Sequence, residues 1–132
     1  MKRVTGIGGV FFKARDAEAL RAWYRTHLGM DIAAWGGLSF THPSSESGSS
    51  PQTTVWSIFA GDTRYFEPSA APFMINYRVD DLDAVLAALR AEGCAVDDKT
   101  ERSEFGAFGW VMDPEGNRIE LWQPPRAVDA QA

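Results

Sequence analysis

Apolar and polar positions follow one programme twice along this chain. Val4 to Ala14 is rich in β-formers, and "AEALRAWYRTHLG" then sets Leu20, Trp23, Tyr24 and Leu28 at helical spacing. A strand feeding a helix is predicted, with Asp16 as N-cap and Gly29 as the stop. "FMINYRVDDLDAVLAALRAEG" does the same again. An alternating strand meets a cap at Asp80 or Asp81, Leu82, Val85, Leu86 and Leu89 share one helical face, and Gly93 ends the run. Gly29 answers to Gly93 and Asp16 to Asp81, with a slightly shorter second helix.

Short strand patterns follow each helix: "MDIAAW", "GLSF" and "TTVWSIFA", then "AVDDK", "AFGWVMD" and "NRIELWQ". Each half reads as strand, helix and three strands, so the fold class is α+β, with helices covering one face of a mixed sheet. The expected organisation is a single domain over 1–132: a module at about 4–60, a linker at 61–72, a second module at 73–124 and a frayed tail at 125–132. "THPSSESGSSPQT", residues 41–53, is too polar to order itself by burial and reads as a mobile loop, with a lid over a site as the functional alternative. The linker "GDTRYFEPSAAP" carries Arg64, Tyr65 and Phe66, whose rings either close a cavity or anchor the segment.

"DPEG" has the chemistry of a type I turn and makes a hairpin of the last two strands. Glu120 therefore falls in mid-strand, where Arg118, Glu120 and Trp122 share one face while Ile119 and Leu121 share the other. A carboxylate buried there needs a pairing, a set of hydrogen bonds or a metal. If the two half-sheets bend toward each other, Phe11, Lys13, Met74, Asn76, Arg78, Trp110, Arg118, Glu120 and Trp122 surround one cup. The expected partner of Glu120 is Arg78 or Arg118, and its functional alternative is a ligand held between Trp110, Trp122 and Phe11.

Composition narrows the classes. The net charge is −5 and basic residues are scattered, so no nucleic-acid surface is expected. No apolar run is long enough to cross a bilayer, and the Gly-rich opening broken by Lys13 does not read as a signal peptide. The one cysteine, Cys94, is read as a small residue packed after a helix, and its isolation suits a reducing cytoplasm. "GIGG" precedes a strand instead of following one, and no nucleophile elbow appears.

The doubled unit, the "FFKARDAEALRAWYRTHLGM" opening and the "FGWVMDPEGNRIELWQP" ending resemble the vicinal oxygen chelate superfamily, which includes glyoxalase I, extradiol dioxygenases, and fosfomycin and bleomycin resistance proteins. The resemblance implies two tandem βαβββ modules forming a curved mixed sheet around a cup, and a homodimer with cups within or across chains. In metal-dependent members, the first and last strands of each half supply the ligands of a divalent ion. Glu120 matches the last-strand position of the second half. The first-strand positions fall on Gly9, or by one residue's slip Gly8, and on Met74; "TTVWSIFA" offers Thr54, Trp56 and Ser57 but no His or carboxylate.

Catalytic zinc takes about three protein ligands, and Glu120 alone supplies one. His27 reads as a helix C-terminal residue and His42 as the start of the polar loop, so no metal or other cofactor is expected, a divalent ion being the lesser alternative. The resulting expectation is a metal-free protein binding a small, aromatic or anionic organic molecule. Phe11, Lys13, Trp56, Met74, Asn76, Trp110, Arg118 and Trp122 bind it, and Glu120 and Arg78 are the candidate acid-base residues. The rivals are a metal-dependent lyase, isomerase or dioxygenase and a drug-sequestering resistance protein. Partners are thus a small molecule and a second copy, with no nucleic acid and no membrane.

Overall fold

The structure is a computed structural model that describes residues 3–43 and 51–125. Its elements run β1 (Val4–Ala14), α1 (Ala17–Leu28), β2 (Gly37–His42), β3 (Gln52–Ala60), β4 (Phe73–Val79), α2 (Leu82–Ala91), β5 (Ala95–Val96), β6 (Glu101–Ser103), β7 (Gly106–Met112) and β8 (Arg118–Gln123). One mixed sheet carries them in the order β2-β3-β1-β4-β8-β7-β5, with β6 beside β7. The two halves meet where β1 pairs antiparallel with β4. Within each half the first strand lies parallel to the last, β1 to β3 and β4 to β8. This is the curved mixed sheet of the expected α+β class.

The helix boundaries follow the caps. Asp16 accepts the Ala19 N–H at 3.0 Å and Asp81 the Ala84 N–H at 3.1 Å, each satisfying one donor of a helix's first turn. Gly29 closes α1 in the left-handed region at φ 65, where a side chain would be strained. The closing hairpin is held by Asp113, whose Oδ1 accepts the Glu115 and Asn117 N–H groups at 2.9 and 2.8 Å. These bonds, with the Asn117 side chain first among them, hold the Asp113 carboxyl below its ordinary range.

Some elements differ from the sequence reading. "MDIAAW" forms no strand: Ile32 is buried, and the backbone turns tightly through bonds from Gly36 N to Ala33 O and from Ala33 N to Gly37 O. The first half is therefore one strand short, whereas β6 adds an unforeseen one to the second. β2 and β3 reach into the polar stretch 41–53, pairing Thr41 with Thr53 and His42 with Gln52. The heart of that loop, 44–50, and the tail from 126 onward lie outside the described residues. Cys94 is exposed rather than packed. No helix among the described residues is long and apolar enough to cross a membrane.

Two cores flank the sheet. α2 buries Leu82, Val85 and Leu86 against Val79, Val111 and Leu121, which is why Ile119 and Leu121 turn toward that side and leave Glu120 on the other. α1 has no buried residue; Tyr24 packs edge-on to Phe12 and Trp56, and Trp23 is 49% exposed. The second core lies on the opposite, concave face: Phe11, Met74 and Trp110 closed over by Phe66 of the linker.

Candidate functional site

Glu120 is 2% exposed at the centre of the concave face, opposite Asn76 on β4 and Trp110 on β7 in the strand registers. Each neighbour donates to it. Asn76 Nδ2 lies 2.7 Å from Oε1, Trp110 Nε1 is 2.9 Å from Oε2, and the linker's Tyr65 hydroxyl reaches Oε2 at 2.5 Å. Three charge-assisted hydrogen bonds compensate for removing this carboxylate from water. Burial, followed by the facing Glu120 charge, pushes the Tyr65 phenol above its ordinary value, so it stays protonated and donating.

Neither arginine pairs with Glu120, contrary to the sequence expectation; among the described residues it forms no ion pair. Arg78 donates to Gln52 Oε1 at 3.1 Å and to the Thr53 carbonyl at 2.5 Å, with its guanidinium 5.5 Å from the centre of the Trp122 ring. Burial lowers its affinity for the proton. Arg118 lies over the Trp110 and Tyr65 rings at 4.8 and 5.7 Å, donates to the Tyr65 carbonyl and faces Asp97 at 3.5 Å. It borders a separate cavity of about 240 Å³ with Asp97 and Pro68.

Glu120 forms part of the wall of a larger cavity of about 720 Å³, a volume typical of small-molecule sites. Phe11, Asn76 and Trp122 line it with Glu120, joined by Val55, Phe105, Phe108 and Gly8, and by Trp35, Ser39 and Thr53. The other expected residues lie elsewhere. Trp56 pairs with Val10 and so shares its face, the helix side, where it packs on Phe12 and Tyr24. Met74 has no exposed surface and sits in the Phe66 core, and Trp110 is buried beside the carboxylate rather than on the cavity wall. Lys13 lies at the far end of β1 opposite Phe59.

Tyr65 and Phe66 are the main residues that sequence reasoning did not assign. Their one signal is a pair of aromatics in an otherwise polar linker. Phe66 is 1% exposed and packs on Phe59 at 5.2 Å, while Tyr65 stacks nearly parallel to the same ring. The linker thus fills one end of the cup and leaves the other end open.

The family's divalent ion does not fit these residues. Three of the carboxylate's roughly four acceptor positions are taken by hydrogens, which leaves about one. Met74 is sealed under Phe66. At Gly8, where a register shift of β1 brings the backbone against the cup, a Cβ would lie 2.3 Å from Asn76 Oδ1 and 2.7 Å from the Trp122 ring, so a liganding side chain has no room. His42 is exposed, with Nε2 3.3 Å from Thr54 Oγ1, and no group of three or more His, Cys, Asp or Glu gathers among the described residues. Gly8→Ala should consequently displace Asn76 and Trp122, at about 1–3 kcal/mol, read as a lower midpoint in urea with altered tryptophan fluorescence.

Comparison with known proteins agrees with this fold. A family model described as a glyoxalase-like domain matches residues 9–122. Methylmalonyl-CoA epimerase from Mycobacterium tuberculosis is similar in structure at 21% identity and TM-score 0.60, over 98% of this chain and 95% of that one. A Streptomyces coelicolor methylmalonyl-CoA epimerase variant bound to 2-nitronate-propionyl-CoA gives 18%, 0.63, 92% and 98% in the same order. A Legionella pneumophila structure described as an NAD-dependent benzaldehyde dehydrogenase gives 13%, 0.58, 89% and 98%. No curated protein matches by sequence. At such identities the likeness fixes architecture and leaves activity to the site. With its doubled module, its concave sheet and a family match spanning both halves, the chain belongs to the glyoxalase-like domain family of the vicinal oxygen chelate superfamily.

Proposed function

We propose that this glyoxalase-like domain binds a small organic molecule in its aromatic cup without a metal ion. One observation carries the reading: the carboxylate at the family's ligand position is already held by Asn76, Trp110 and Tyr65 of the same chain. Phe11, Phe108 and Trp122 supply the apolar wall that small-molecule sites use for affinity, and Glu120 and Asn76 supply the polar groups that orient a ligand. The reading favours a binding role, drug sequestration included, over metal-assisted lyase or isomerase chemistry. Arg78 is committed to Gln52 and Thr53, so acid-base chemistry shared with Glu120 has no support.

A homodimer, as the resemblance implies, would cover apolar groups now open to water at Trp23, Leu28 and Phe40. A cytoplasmic setting suits the unpaired thiol of Cys94.

Thermal-shift measurements test the binding role, because a ligand that binds only the folded state raises the midpoint. Compounds with flat apolar bodies should raise it, whereas Mn²⁺, Co²⁺, Ni²⁺ and Zn²⁺ should leave it unchanged. A rise with one of these ions that is lost in Glu120→Gln, or turnover of methylmalonyl-CoA that needs such an ion, would overturn the reading.

A further inference from the structure

The polar positions left unfilled at Glu120 and Asn76, on the floor of the cup, are acceptors. Glu120 Oε2 is filled by Trp110 and Tyr65, but Oε1 accepts only from Asn76, leaving it one acceptor position. The Asn76 amide is oriented by that bond: reversing it would set its oxygen against the carboxylate. Its Oδ1 therefore turns away from Glu120, and this atom, in a side chain 2% exposed, is buried with no hydrogen-bond partner among the described residues. Such an orphan in a folded protein calls for an explanation. Gly8 is what lets Oδ1 lie there, since a Cβ would come within 2.3 Å of it, and Asn76 lines the cavity.

Among the described residues Glu120 is the one charged residue lining the cavity; Arg78 stands against the Trp122 ring with N–H groups given to Gln52 and Thr53. Aromatic faces add partial negative charge and attract cations. Resting on the binding role proposed above, we infer that the cup selects flat aromatic molecules bearing an N–H donor group, neutral or cationic, which bridges Glu120 Oε1 and Asn76 Oδ1. Amidines, amines and primary amides belong to that class. Carboxylates do not, since they would bring lone pairs and negative charge to two acceptors. This departs from the anionic ligand that the sequence left open.

Three naphthalenes substituted at the same ring position test the inference: the amidine, the primary amide and the carboxylate, each titrated calorimetrically into the unmodified protein. The amidine should bind at least about tenfold tighter than the carboxylate, with the amide between them, as expected for hydrogen bonds to a charged acceptor. Glu120→Gln, its fold checked by circular dichroism, should narrow the gap between amidine and carboxylate. Equal or tighter binding of the carboxylate overturns the ligand class and leaves the binding role standing. Failure of all three to bind overturns both.

Discussion

Replacing Glu120 with leucine should destabilise the protein by about 3 kcal/mol, although leucine has nearly the same volume and suits a strand. The cost comes from the groups left behind. Asn76 Nδ2 and Trp110 Nε1 are buried donors that would lose their acceptor, each costing about 1–3 kcal/mol, partly offset because no charge is then buried. The Tyr65 hydroxyl, on a residue 36% exposed, also loses its acceptor. Glu120→Gln separates this account from simple burial. The introduced amide oxygen can still accept from Trp110 and Tyr65, and its NH₂ can donate to Asn76 once that amide reverses. The amide variant should lose less than about 1.5 kcal/mol. Urea denaturation of both variants checks the ordering, and equal losses would show that the three donors do not govern the site.

Phe66→Ala should cost at least as much, about 3–5 kcal/mol, or roughly 10–18 °C in midpoint for a chain of this size. Phe66 is 1% exposed among Phe11, Met74 and Trp110, so truncation leaves a void that rigid sheet residues cannot close. The same change frees the linker that carries Tyr65, and the cup should become longer and less selective. Calorimetry and the naphthalene titrations would register both effects. Tyr65→Phe, which removes the hydroxyl and keeps the ring, should leave most of the stability in place.

The strength of these effects explains what could and could not be read from the sequence. Asp16, Asp81 and "DPEG" act through bonds spanning two to four residues, so their chemistry is visible in the chain itself. Period-two alternation put Glu120, Asn76 and Phe11 on one face, because a strand's geometry leaves no other choice. Trp56 has no assignable face without its register: its pairing with Val10 turns it toward α1. Opposite charges suggest arginine as the partner of Glu120, whereas Tyr65 comes from a linker 55 residues away with no periodic signal. "MDIAAW" alternates like a strand, but its hydrogen bonds close within a turn.

The first-strand positions that the resemblance points to, Gly9 or by one residue's slip Gly8, and Met74, carry no side chain that could hold a cation. A Cβ would meet Phe11 at Gly9 and Asn76 and Trp122 at Gly8, and Met74 is covered by the linker. The carboxylate's charge is answered by neutral donors from three separate segments. On the metal-free reading proposed above, no cation is required there.

Elemental analysis of protein purified without chelator tests that claim most directly. The account predicts no stoichiometric zinc, nickel, cobalt, manganese or iron, in the unmodified protein and in Glu120→Gln alike. One equivalent of any of these metals, present in the unmodified protein and lost in Glu120→Gln, would contradict it.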